Sequence, residues 1–501
     1  MFNEVRITKS SKKIKSFFIF IKNVIVVYIN CWSVLMEIKK KYKKSIFIFR
    51  RDLRLDDNSG LIEAFRNSEK VFLCFMFTPE QIGDSNKFKS ERALKFMVEG
   101  LRDLELQIKS YGGQLHFFYG KVEEVLKELL SKNNFEAIYL NKDYTPYSKL
   151  RDGKIKKIAD KFNIDLLEVD DFLLNSIKNI LSNSGKPFSR FSFYYKIALV
   201  DFPKKPILFR NVFKSSDVEF CCDKIISRKY NITLKDLFRF FDKDLSLVIS
   251  GGRGFALKLL SLVPKIYSNY GESIKDIKDY NSLKLSAYIK FGIVSIREVF
   301  FAAKKIVNKK SQENLIRQLY WHDFFYYIAN FYPKVFGHSF SLNKWWVDNV
   351  EKKSFASVKK DFKAWCDGKT GFPFVDAAMR QLNEEGFLHN RLRLVVASFL
   401  TQILLIDWRL GERYFAQKLI DYDPSINNGN WQWVAGIGTD YYKHRIFNPW
   451  LQQKKLDKDC KYIKFWIPEL RNMDNKIIHK WFDNKSVAFK IKYLNPIVNF
   501  K

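Results

Sequence analysis

Short apolar runs alternate with amphipathic stretches along the chain from residue 44 to about 170. Ser45–Phe49 (SIFIF), Val71–Phe77, Gln114–Phe118, Ala137–Asn141 and Ile164–Val169 are each bounded by polar or turn-forming residues. Runs this short and this apolar predict strands covered on both faces. Between them, Leu61–Asn67, Glu91–Lys109, Val122–Leu130 and Lys154–Phe162 carry apolar residues at helical spacing. The alternation predicts an α/β domain built on a parallel, Rossmann-like sheet. Ligands of such sheets bind beyond the strand C-termini, where Phe49-Arg50-Arg51-Asp52-Leu53-Arg54 lies. No glycine-rich phosphate loop is present, which argues against an ordinary dinucleotide site. A salt-bridge network between domains is the expected role of Arg50, Arg51, Asp52 and Arg54.

The alternation fades near residue 171. Up to residue 250 the chain holds Pro187, Pro203 and Pro206 with charged and aromatic clusters. One helix is expected in KPFSRFSFYYKIAL; the rest reads as a connector wrapping between domains. Helical patterns then dominate to the end, and one stretch, Gly371–Pro449, is unusual. Val375–Met379 and Leu392–Leu405 repeat apolar residues at helical spacing, yet Arg391 and Arg393 adjoin the second run, and Asp407, Asp421 and Asp423 follow it. Buried charge must be paired. The density of the pattern predicts a polar pocket in a helical domain, although any one pair alone reads as a helix-end salt bridge. Within DPSINNGNWQWVAGIG, Asn427, Asn428, Gly429 and Asn430 are poor helix-core residues and predict a tight turn presenting amides. Trp431 and Trp433 follow at once, and Trp408 lies upstream. Amides beside indoles suit a large planar redox cofactor; a capped helix with core tryptophans is the plain alternative.

The formal charge of +33 in 501 residues draws the chain to polyanions. Lys, Asn, Ile, Phe and Tyr are abundant throughout, so only part of that charge is functional. The 6 cysteines are scattered, and adjacent Cys221 and Cys222 fit neither a disulfide framework nor a metal site, so an intracellular protein is expected. Residues 1–43 form a basic and apolar extension. Its run FFIFIKNVIVVYINCWSVLM reads as a signal anchor or an organelle presequence, but is broken by Lys22, Asn23 and Asn30. Synthesis beginning at Met36 is the expected alternative.

The pocket residues belong to a longer series of motifs: GKTGFPFVDAAMRQL, HNRLR, ASFL, LLIDWRLGERYF, NNGNWQW and RIFNP. Through them the chain resembles the photolyase/cryptochrome flavoproteins, nearest to the class I cyclobutane-dimer enzymes, from Lys44 almost to its C-terminus. The resemblance implies a light-harvesting α/β antenna domain over residues 44–175, a linker over 176–250 and an all-helical FAD- and DNA-binding domain over 251–501. NKDYTPYSKLRD, Asn141–Asp152, shares the look of the antenna domain. Also implied are a non-covalent U-folded FAD, a second antenna chromophore of folate or deazaflavin type, and repair of pyrimidine dimers or blue-light sensing. Damaged DNA, preferentially double-stranded, is the expected partner of a monomer with no obligate protein partner, in nucleus or cytoplasm.

For FAD the resemblance points to Tyr270, to Ser282-Leu283-Lys284-Leu285-Ser286 at the diphosphate, and to Asn390, Arg393, Asp421, Asp423 and Asn427. The family usually shows Thr-Ser before Arg or Lys in that run, so one hydroxyl is lost here and one shortened. For the substrate it points to Gln318, Trp321, His322 and Phe387, with Arg391, Lys443, Arg445 and Gln452 at the DNA and Lys290 or nearby lysines adding phosphate contacts. A flipped dimer needs a ring to stack on and an amide or acid for its edge, and Gln318, Trp321 and Phe325 share one helical face. An aromatic core stripe would explain Phe325 but not Gln318.

Gln318, His322 and Phe387 depart from the Glu, Arg and Trp common in cyclobutane-dimer enzymes; Phe387 is shared with the DASH branch. His389-Asn390-Arg391 agrees with those enzymes. Asn427 stands where the resemblance places an amide facing flavin N5, which favours repair over signalling. Trp431 and Trp408 match the inner members of a tryptophan relay, whose outer position aligns with Phe355; Trp345 or Trp346 is a possible substitute. The alternatives are a DASH-like photolyase or photoreceptor, and a flavin-dependent DNA-binding protein without repair.

Overall fold

A computed structural model describes residues 40–216, 218–221, 229–270, 277, 282–341, 344–439, 446–483, 491 and 493–500. The N-terminal apolar run, Cys222, Lys443 and Arg445 lie outside them. The predicted strands form β1 (Tyr42–Phe49), β2 (Ser68–Phe77), β3 (Leu115–Tyr119), β4 (Ala137–Asn141) and β5 (Asp165–Val169), in the order β3-β2-β1-β4-β5. The β1–β4, β2–β3 and β4–β5 pairings are parallel, and Ile46, Phe47, Phe72, Leu73, Ile138 and Tyr139 are fully buried. Helices α1 (Ser59–Asn67), α2 (Glu91–Ser110), α3 (Val122–Lys132) and α4 (Pro146–Lys161) connect them. Asn58 and Ser90 cap α1 and α2 by accepting backbone N–H bonds from Leu61 and Ala93. α4 begins well before the expected Lys154, because Thr145 caps it and Pro146 preorganises its first turn.

The connector has more structure than its sequence suggests. It contains α5 (Phe191–Ala198) and a sixth strand, β6 (Glu219–Phe220), which pairs in parallel with β2 at Lys70 and Val71. Two residues are too few to show a periodicity; only the start of β2, ahead of its register with β3 at Leu73, makes them a strand.

The C-terminal half is helical: α6 (Arg253–Ile266), α7 (Leu285–Lys290), α8 (Ile296–Ala303), α9 (Lys309–Phe331), α10 (Phe355–Cys366), α11 (Pro373–Glu385), α12 (Asn390–Ser398), α13 (Trp408–Lys418), α14 (Pro424–Ala435) and α15 (Pro449–Leu456). Its core joins Trp365, Phe372, Val375, Leu392, Val396, Trp408, Trp431 and Trp450. Contrary to the expected tight turn, Asn427, Asn428, Gly429 and Asn430 lie inside α14. Asp423 caps this helix through the N–H groups of Ser425 and Ile426, and Pro424 opens it. The polar side chains then find partners: Asn430 donates to the Ile426 carbonyl and Asn428 accepts from Gln432. Gly429 is required because a Cβ there would come 2.2 Å from the Phe325 ring. Tertiary contacts thus override poor helix propensity.

Where the halves meet, Gly292 has φ of 62° and lies so close to β1's exit that a Cβ would sit 2.1 Å from the Arg51 carbonyl oxygen. The expected network forms here, in part. Arg54 pairs with Asp171 at 2.6 Å and donates to the Gly292 carbonyl, while Arg297 pairs with Asp57 and Asp171 at 2.8 Å. Arg50 and Asp52 instead serve the sheet domain itself: Arg50 pairs with Asp152, and Asp52 accepts from Asn141.

Candidate functional site

α7, α9, α12, α13 and α14 enclose a cavity of about 330 Å³, at the lower end of the ~300–1,000 Å³ usual for small-molecule sites. Of the residues expected at a cofactor, Tyr270, Ser282, Lys284, Leu285, Ser286, Asn390, Arg393, Asp421, Asp423 and Asn427 all line it, as do Gln318, His322, Phe387 and Trp431. Residues far apart in sequence meet because the helix ends of α7, α12 and α14 converge.

Two carboxylates organise the polar wall. Asp421 accepts both from Arg393 Nη2, at 2.8 and 3.0 Å, and from Ser286 Oγ at 2.7 Å. Asp423 uses one oxygen to cap α14; the other accepts from Tyr326 at 2.5 Å and from the Arg51 guanidinium of the α/β half. Burial opposes its charge, but Arg51 and then Lys290 prevail and hold its pKa well below the usual carboxylate range. The same setting works against Lys290: burial, and then Arg51, push its pKa down to about 8. His389 is pushed down to about 4 by burial and then by Arg393 and Arg391. Its neutral Nδ1 accepts from the Arg391 N–H and caps α12.

Asn427 is held from behind. Its Nδ2 donates to the Glu412 carbonyl at 3.2 Å and to Glu412 Oε1 at 3.1 Å. The donor end is therefore occupied, which leaves the carboxamide oxygen as the group available to the cavity. Glu412 is in turn reached by the Tyr422 hydroxyl at 3.1 Å, and burial raises its pKa. Sequence reasoning missed Glu412, Tyr326 and Arg51 as supports of the site. A glutamate in the same helix as Trp408 was an available signal; the salt bridge expected of Arg51 between the domains is met by Asp423, but nothing in the sequence tied that pair to the cavity.

On the substrate side, the Phe387 ring is buried between Lys284 at 5.5 Å and Arg393 at 5.6 Å. His322 Nδ1 lies 2.9 Å from Asp323 Oδ1, and Asp323 accepts from the Leu174 N–H. Gln318 is exposed at the cavity mouth.

Other expected residues are not gathered into the cavity wall. Trp321 stacks on Phe191 of α5, with ring centroids 3.8 Å apart; the connector, invisible as a partner in sequence, covers it. Leu283 is buried, and its N–H is taken by the Tyr267 hydroxyl at 3.0 Å, so it offers no amide to a phosphate. Trp408 lies in the helical core. Arg391 is exposed on the first turn of α12, and Gln452 sits half-buried on α15.

These residues suit FAD: an amide oxygen for a ring N–H, a clamped Arg–Asp pair, lysines and serines for a diphosphate, and an apolar wall that includes Trp431. Comparison with known proteins points the same way. Residues 45–208 match the DNA photolyase family model, and residues 315–501 match the FAD binding domain of DNA photolyase. A deoxyribodipyrimidine photo-lyase of Alkalihalophilus pseudofirmus is 32% identical over 473 residues, covering 90% of this chain and 94% of the relative. The structure of a Sulfolobus tokodaii photolyase holding two FAD molecules superposes with a TM-score of 0.77 at 37% identity, covering 91% of this chain and 96% of that one. A class III photolyase of Agrobacterium tumefaciens gives 0.80 at 28% identity, over 93% and 96% of the two chains.

Proposed function

Because the chain belongs to the photolyase/cryptochrome family, we propose that it is a light-driven lyase that reverses cyclobutane pyrimidine dimers in duplex DNA. The orientation of Asn427 supports this reading most directly. With its Nδ2 tied to Glu412, its oxygen is left to accept from a protonated ring nitrogen, as a reduced flavin presents. A carboxylate there would instead oppose extra electron density on the ring. Bound, reduced FAD supplies on illumination the electron that opens the cyclobutane ring, and receives it back.

The protein's own groups orient and exclude. The Arg393–Asp421 pair fixes one wall, Ser282 and Lys284 meet the diphosphate, and Trp431, Ile426 and Val434 keep water from the ring. At the mouth, Gln318 donates to a base carbonyl, His322 is aimed by Asp323, and Phe387 provides an aromatic wall. Arg391, Lys443 and Arg445 meet phosphates, which positions DNA without reading its sequence. The α/β half carries a second chromophore of folate or deazaflavin type, and the protein acts as a monomer.

The deciding assay combines reduced protein, dimer-containing duplex and near-UV or blue light. Restored thymine absorbance is expected. Binding without restoration would leave a non-repairing DNA-binding flavoprotein; restoration confined to single strands would indicate a DASH-like enzyme.

A further inference from the structure

Gln318, His322 and Tyr326 follow one another at every fourth residue of α9 and so share one side of it. They descend from the cavity mouth. Gln318 is exposed, the His322 side chain is 15% exposed, and Tyr326 is buried with its hydroxyl bound to Asp423. Gln318 and His322 both line the cavity, about one 5.4 Å turn apart.

His322 is held from behind. Its Nδ1 lies 2.9 Å from Asp323 Oδ1, and the other oxygen of Asp323 accepts from the Leu174 N–H at 2.7 Å. The Asp323 side chain is only 1% exposed. Burial pushes its pKa up, against the hydrogen bonds from His322 and from the backbone of Leu174 and Asn175. Imidazole and carboxyl therefore titrate as a pair. In the protonated pair the shared proton rests on Nδ1 or on Oδ1, and in both cases Nε2 carries a hydrogen. Loss of one proton leaves Nδ1–H on the Asp323 carboxylate and turns Nε2 into an acceptor. With Nδ1 taken, Nε2 is the ring nitrogen left to the cavity.

The other imidazole of the cavity wall has the opposite setting. Arg393 and Arg391 add to burial in holding His389 neutral, and its Nδ1 accepts from the Arg391 N–H. His322 instead has carboxylates beside it, Asp323 on its own helix and Asp423 ahead of α14. Tyr326 lies ring to ring with it at 4.9 Å. Arg51 after β1, Asp143 after β4 and Lys290 on α7 complete its charged surroundings. Around Asp323, the phenols of Tyr144, Tyr194 and Tyr320 stay neutral, because burial pushes their pKa values up.

Resting on the lyase reading above, we propose that His322 is a catalytic residue that donates from Nε2 to an inward-facing carbonyl of the dimer, with Asp323 as its positioning residue, so that the protonation of this pair switches repair. The electron from reduced FAD reduces the carbonyl-bearing ring, and negative charge gathers on the oxygen that Nε2–H meets. Two carbon–carbon bonds of the cyclobutane break, two pyrimidine double bonds re-form, and the electron returns to the flavin. The proton stays on Nε2 throughout, so none is consumed. In the deprotonated pair, Nε2 presents a lone pair to the same oxygen and opposes that charge.

Two measurements on the FAD-loaded, reduced protein from about pH 5.5 to 8.5 test this. One is the preference for dimer-containing over intact duplex, read by competition binding at fixed salt. The other is repair per absorbed photon. Both should fall as pH rises, by about tenfold. His322→Gln, whose amide donates at every pH, should flatten both profiles at an intermediate level. His322→Arg should hold both high at the alkaline end. Lys290, with its pKa pushed down to about 8, titrates in the same window, but it does so in all three proteins, so differences between their profiles isolate His322. Profiles that fall in His322→Gln as they do in the parent, flat profiles in the parent, or an effect on flavin retention alone would overturn the assignment. Flavin content and melting temperature identify a misfolded variant, and the other variant then decides. A damage preference that falls with pH, without repair at any pH, would count against the lyase reading and still support the contact between His322 and the dimer.

Discussion

The seam between the halves and the cavity are built from the same residue types, arginine and aspartate, and differ in closure. At the seam, Arg54 and Asp171 have side-chain exposures of 1% and 0%, and Asp171 serves two guanidinium groups at once. In the cavity, Asp421 is as deeply placed, but Arg393 is 24% exposed and one face of the pair is open. A closed set of charges holds two bodies in register. An open set has interaction capacity left over for a ligand.

The widest predicted gap between the two regions comes from truncating their acids. Asp171→Ala removes the carboxylate partner of Arg54 and one of the two of Arg297, and losing one partner of a buried pair costs about 3–5 kcal/mol. A large drop in the urea midpoint is expected, and a drop no greater than that of an exposed Asp→Ala control would remove the seam from the stability argument.

Acid should separate the regions next. Burial, and then Arg393 and Arg391, push the pKa of His389 in the folded chain down to about 4 from its ordinary value near 6.5. Above about pH 6.5 neither state is protonated there and the residue is neutral to stability. Between about 6.5 and 4 the unfolded chain binds a proton that the folded chain resists, so stability falls as pH falls, by roughly 3 kcal/mol at most. Asp171 acts in a lower window. Burial opposes its charge, but Arg54 and Arg297 hold its pKa well below the usual carboxylate range. Its contribution is present above about pH 4 and is lost only as pH falls further. Denaturation followed from pH 7 to 4.5 should therefore show a decline that His389→Asn flattens and Asp171→Asn does not.

A smaller effect is expected at Trp321. Its stack on Phe191 ties the connector to α9, which also carries Gln318. Because Phe191 covers its stacking face, Trp321→Ala should lower the preference for damaged over intact duplex by less than the ~1–3 kcal/mol of a full base–aromatic stack, read by competition binding at fixed salt. Equal loss on both duplexes would make the residue purely structural.

Least costly to stability should be Asp421→Ala. Arg393 can turn toward water, so about 1 kcal/mol or less is expected, while flavin retention after gel filtration falls. A stability loss as large as that of Asp171→Ala would erase the distinction between closed and open sets.

Much of the fold was legible because strands covered on both faces and amphipathic helices carry their own periodicities. β4 occupies the predicted residues, and β1, β2, β3 and β5 lie within a few residues of theirs. The cavity was legible in part, because charges set among apolar helical positions must have partners, and Arg393, Asp421 and Asn427 do line one space. What failed was reasoning from local preference where a distant group decides. Asn427–Asn430 reads as a turn; Asp423, Pro424 and the Phe325 ring make it helix. Trp321 reads as a free stacking face; Phe191 covers it.

By itself, then, the sequence determined the alternation that builds the sheet, the need for a paired polar pocket, and the motifs that imply FAD. Only the tertiary structure decided which partner each polar group takes. It sent Arg51 across the halves to Asp423, turned the Asn427 amide by means of Glu412, and set Tyr414 beside Trp365. Periodicity reports which face of an element is buried, but a hydrogen bond or a ring contact depends on distances between elements, and those exist only once the chain has closed.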